Sequence, residues 1–65
     1  MHEQEGTMDT IYIQLEDNGN WLTITSMPSG SPQSMSMEMR TLKRTHPDRR
    51  VRAVDGEGRL LDLMP

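Results

Sequence analysis

Asn18-Gly19 sits between two runs in which aliphatic and polar residues alternate, and nothing else in the chain limits the fold as tightly. Asn-Gly readily takes the two positive φ values of a type I′ turn, so the flanking runs are expected to pair as adjacent antiparallel strands. On one side Ile11, Ile13 and Leu15 alternate with Tyr12, Gln14 and Glu16. If Asp17 faces Asn20, the predicted second strand, Asn20 to Ser26, sets Leu22 opposite Leu15 and Ile24 opposite Ile13. The other face then pairs Glu16 with Trp21, Gln14 with Thr23 and Tyr12 with Thr25. Turn chemistry and hydrophobic pattern select the same register.

A turn-rich stretch, Met27 to Gly30, leads to Ser31-Pro32, a good N-cap followed by proline at the first helical position. The helix is expected to reach about His46, with Met35, Met39, Leu42 and His46 on one stripe and Pro47 as its stop. Met37 lies off that stripe, where it offers either a flexible apolar contact for a partner or simply an exposed methionine. Arg50 to Asp55 and Arg59 to Leu63 then read as a second hairpin around Gly56-Glu57-Gly58, with Gly58 in the left-handed conformation. That loop opposes Asp55 to Arg59, Ala53 to Leu61 and Val51 to Leu63 on one face. Val54 with Leu60, and the ion pair Arg52 with Asp62, fall on the other.

The order β-β-α-β-β predicts an α+β fold, two hairpins forming a mainly antiparallel four-stranded sheet with one helix on one face. The expected core is Ile11, Ile13, Leu15, Leu22, Ile24, Met35, Met39, Leu42, Val51, Ala53, Leu61 and Leu63. Residues 1–8 lack periodicity and read as a disordered leader, leaving residues 9–65 as one small domain. With 65 residues and no cysteine, packing alone must hold the fold, and a homodimer covering the open sheet face would add burial. No apolar run approaches the roughly 18 residues of a membrane span, and the polar, acidic start is unlike a signal peptide. No membrane partner is expected.

Candidates for chemistry are few. A single sheet-plus-helix layer of this size encloses no obvious cleft, and His46, just before Pro47, reads as a helix-end residue rather than a catalyst. His2 stands without a second ligand at metal spacing, and Gly56-Glu57-Gly58 is too short for a phosphate loop and joins strand to strand. No catalytic residue, metal or cofactor is expected.

Two surfaces remain. The first 39 residues contain six acids and no Lys or Arg, whereas all seven basic residues follow, giving the net charge of -3. Lys43, Arg44, Arg49, Arg50 and Arg52, within the basic segment 40–52, are therefore one candidate site, for nucleic acid. The same residues also read as helix-end chemistry and as counter-charges to the acidic half. The second surface is the sheet face turned away from the helix, where Tyr12, Gln14, Trp21, Thr23, Arg52, Val54 and Leu60 gather. They include both aromatic residues of the chain, the residue types that dominate protein interfaces. On this reading Trp21 serves partner binding more than folding, and Leu22 behind it belongs to the core.

Ile11 to Leu63 carries Asn18-Gly19-Asn20-Trp21, Lys43-Arg44-Thr45-His46-Pro47, Arg50-Val51-Arg52-Ala53-Val54-Asp55, Gly58-Arg59-Leu60 and Asp62-Leu63. In these stretches the chain resembles small proteins of tailed bacteriophages and prophages, a group without an assigned activity. The resemblance implies a phage or prophage origin, action in the host bacterial cytoplasm and no catalysis. Small acidic phage proteins include inhibitors of host defence, such as anti-CRISPR proteins that occlude a surveillance complex, and minor virion parts. The expectation is a non-enzymatic accessory protein that binds a protein partner, of host defence or of the phage particle, through the open sheet face. The alternatives are a virion or assembly component and a small nucleic-acid-binding regulator.

Overall fold

In the computed structural model, which describes residues 10–30 and 32–65, the chain forms β1 (Thr10–Asp17), β2 (Asn20–Pro28), α1 (Pro32–Thr45), β3 (Val51–Asp55) and β4 (Leu60–Met64). The strands form one antiparallel sheet in the order β2-β1-β3-β4, so the two hairpins join through their first strands and β2 and β4 are the edges. This is the predicted α+β fold. The expected leader, residues 1–8, and the expected N-cap Ser31 lie outside the described residues.

Both turns are those the sequence demands. Asn18 and Gly19 have φ of 54° and 83°, the type I′ pair. Gly58 has φ 82° and donates to the Asp55 carbonyl at 3.0 Å, while Asp55 donates to the Arg59 carbonyl at 3.0 Å, closing the three-residue loop. The helix ends with His46 donating to the Leu42 carbonyl at 2.8 Å, and Pro47 then occupies a turn closed by Arg49 N–H on the His46 carbonyl at 3.1 Å.

The helix lies over the two central strands. Met39 is fully buried against Ile11, Ile13, Leu15, Val51 and Ala53, with Met35 and Leu42 partly buried beside it. Met37 is on the exposed side.

Both predicted registers hold near their turns and then slip by one. In the first hairpin Asp17:Asn20, Glu16:Trp21, Leu15:Leu22 and Gln14:Thr23 pair as expected, but Ile13 then faces Thr25 and Ile11 faces Met27, leaving Ile24 as a bulge. Tyr12 accordingly faces Ser26, not Thr25. In the second, Val54:Leu60 holds, after which Ala53 faces Asp62, Arg52 faces Leu63 and Val51 faces Met64, leaving Leu61 unpaired. The predicted pairs Ala53:Leu61, Val51:Leu63 and Arg52:Asp62 therefore do not form.

The expected core is correspondingly too wide. Leu22, Ile24, Leu61 and Leu63 are exposed, whereas Met27 and Met64 pack against the core in positions the bulges create. A helix about 10–12 Å across spans roughly two strands spaced about 4.8 Å apart, so aliphatic residues on the edge strands find little to bury against. Ile13→Val, at a site with no solvent exposure, is expected to cost about 0.5–1.5 kcal/mol. Leu22→Ala, at a residue 46% exposed, should cost less than about 1 kcal/mol despite removing more atoms. Denaturant midpoints of the two variants check the order.

Candidate functional site

The sheet face away from the helix is built from three cross-strand rows. Nearest the first turn, Trp21 on β2 faces Glu16 on β1, whose backbone N–H donates to the Arg50 carbonyl at 3.0 Å. The middle row runs Thr23, Gln14, Arg52, Leu63, and the far row Ser26, Tyr12, Val54, Leu60. All seven residues expected at a partner-binding face, Tyr12, Gln14, Trp21, Thr23, Arg52, Val54 and Leu60, thus lie on one side of the sheet. Leu63, placed in the core by sequence reasoning, joins them because the Leu61 bulge turns it over. The signal that would have found it is Met64, a large apolar residue that the slipped register returns to Val51.

The face is polarised. Leu60 is 58% exposed and Leu63 39%, and with Tyr12 they form an apolar corner around Val54, which is buried beneath its neighbours. The opposite corner is polar and tightly connected. Arg50 makes two hydrogen bonds to the Glu16 carboxylate, Nε to Oε1 at 2.8 Å and Nη2 to Oε2 at 2.9 Å. Arg52 donates from Nε to Gln14 Oε1 at 2.7 Å, and Gln14 donates in turn to Thr23 Oγ1 at 3.1 Å. Both guanidinium groups reach across β1 to the Trp21 ring, Arg52 at 4.2 Å from the ring centroid and Arg50 at 5.4 Å. Trp21 is half-buried, not the bare aromatic surface that sequence alone suggests.

The basic segment is dispersed by the fold. Lys43 donates to the Arg49 carbonyl at 2.7 Å, Arg49 pairs with Asp17 at 3.5 Å, and Arg50 and Arg52 belong to the sheet face just described. Arg44 remains exposed on the helix. The acidic first hairpin thus meets the basic residues before and within β3. Among the described residues no three His, Cys, Asp or Glu side chains come together as a metal site requires, and no helix is long and apolar enough to cross a membrane. Comparison with protein-family models, with curated proteins and with solved structures gave no match.

Two carboxyls titrate below their ordinary values. Hydrogen bonding from Arg50 lowers Glu16, against a smaller desolvation effect. Asp55 is lowered first by the Arg59 backbone N–H, against desolvation, with further help from the Arg59 side chain and the Glu57 N–H. A carboxyl whose folded pKa is depressed adds stability that is complete above its unfolded value and lost as pH falls through the folded one. The thermal midpoint should therefore be nearly constant from neutrality to about pH 5 and fall below the ordinary values of 4.5 and 3.8. Glu16→Gln should have a lower midpoint at neutral pH and a shallower acid decline, measured by circular dichroism across the acid range.

Proposed function

We propose that this chain is a non-enzymatic binding protein that engages a protein partner through the sheet face opposite the helix. The observation that carries this reading is the apolar corner of that face, where Leu60 is 58% exposed and Leu63 39% beside Tyr12 in a protein with few apolar residues to spare. A polar rim of Thr23, Gln14 and Arg52 borders it, the arrangement that suits an interface. The resemblance to small proteins of tailed phages directs the search to host-defence complexes and phage structural proteins, with an inhibitor of a host-defence complex as the favoured form.

The test compares capture of interacting proteins from host and infected lysates by the wild-type chain, by Leu60→Ser with Leu63→Ser, and by Met37→Ser. Met37 is 62% exposed on the helix and serves as the control for exposed apolar surface elsewhere. A partner that wild type and Met37→Ser retain and the double variant loses at least tenfold supports the reading. A partner that the double variant keeps, or nucleic acid as the captured species with steep salt dependence, overturns it.

A further inference from the structure

We infer that Arg52 is a prepared carboxylate receptor, and that the open sheet face takes an extended polypeptide segment bearing an acidic side chain two positions from an aliphatic one. This rests on the proposed use of that face and specifies the chemistry of its partner. The argument begins with the company each arginine near the sheet keeps. Arg49 pairs with Asp17, Arg50 with Glu16, and Arg59 with Asp55 and Glu57. Arg52 has instead a neutral amide, Gln14, and the face of Trp21. Its two terminal nitrogens have no acceptor among the described residues.

The bulge at Leu61 is what leaves Arg52 without an anion among the described residues. With a regular register Asp62 would stand opposite Arg52, but the slip sets Asp62 opposite Ala53, on the helix side, and brings Leu63 to Arg52. The neighbouring carboxylate on the same face, Glu16, is taken by both hydrogen bonds from Arg50. The guanidinium is meanwhile fixed in place. Gln14, itself hydrogen-bonded to Thr23, accepts from Nε, and the guanidinium carbon lies 4.2 Å from the Trp21 ring centroid, while its terminal nitrogens have no acceptor among the described residues. A guanidinium held by a hydrogen bond and a ring contact has already given up part of its side-chain freedom, so a carboxylate that meets it loses less entropy on binding.

Geometry fixes the rest of the motif. The guanidinium lies over β1, where Gln14 accepts from its Nε, and Tyr12 lies two residues from Gln14 on the same strand, about 6.6–6.8 Å along it, with Val54 as its cross-strand neighbour. An extended segment has the same two-residue repeat, so a carboxylate seated on the Arg52 guanidinium places the side chain two positions away over Tyr12, at the near edge of the apolar corner. A phosphodiester backbone would satisfy the arginine but would lay charge over that apolar corner, which favours a peptide.

The probes are two capped peptides, Ac-Thr-Asp-Thr-Leu-Thr-NH2 and its Asn counterpart, titrated into the full-length, isotope-labelled chain by NMR. The Trp21 indole N–H, the Arg52 Nε–H and the Tyr12 ring protons report the two ends of the site. The Asp peptide is expected to move all three, with a midpoint at least tenfold lower than the Asn peptide. Arg52→Gln should abolish that preference, whereas Arg44→Gln, an equal loss of charge on the helix, should leave it intact. Amide dispersion verifies folding of both variants. Equal titration by the two peptides with Tyr12 moving overturns the carboxylate receptor and leaves the open-face reading standing. No shift up to about 10 mM, or displacement of the same signals by oligothymidylate alone, overturns the receptor outright.

Discussion

One helix cannot cover four strands, and most of this structure follows from that mismatch of widths. A helix about 10–12 Å wide seals roughly two strands, and here it seals β1 and β3, whose inward residues Ile11, Ile13, Leu15, Val51 and Ala53 are buried with Met39. The edge strands respond by bulging once each, at Ile24 and Leu61. Each bulge exchanges the expected inward residues beyond it for others, so that a methionine, Met27 or Met64, ends beside the core. Methionine is unbranched and flexible, which suits a position at the margin of a helix where the space to be filled is irregular.

One of these edge strands, β2, is tied back on the opposite face by polar chemistry. Arg52 leaves β3, crosses β1 over Gln14 and reaches Trp21 on β2, and Arg50 does the same over Glu16. These contacts bind the two hairpins where the helix does not reach. They also explain the uneven charge along the chain. Acids of the first hairpin and basic residues before and within β3 meet because β1 and β3 are antiparallel neighbours, so Glu16 and Asp17 fall beside Arg50 and Arg49.

What the sequence revealed and what it hid divide along the range of the interactions involved. The type I′ turn at Asn18-Gly19, the left-handed Gly58 and the helix stop at Pro47 are local, set by φ preference and a missing donor, and could be read directly. The seven residues of the open face were legible because alternation assigns faces from the residues nearest each turn. The bulges were not. A period of two carries no mark of a skipped residue, and an aliphatic at Ile24 or Leu61 looks like core until the width of the helix is taken into account. Leu63 was misassigned for that reason alone, and with it the size of the apolar corner.

The role of Trp21 changes once the arginines are in view. A ring stacked beneath Arg52 and close to Arg50 has its favourable electrostatic contacts already formed within the fold. A partner approaching that side of the ring would have to displace a guanidinium held by Gln14, giving up one contact to gain another. On the proposed reading, Trp21 serves by holding Arg52, and the apolar contribution shifts to Leu60 and Leu63. The open face is thereby divided, one end carrying a guanidinium held by Gln14 and the other exposed aliphatic surface, and the Leu61 bulge creates both properties by removing Asp62 from the face and adding Leu63 to it.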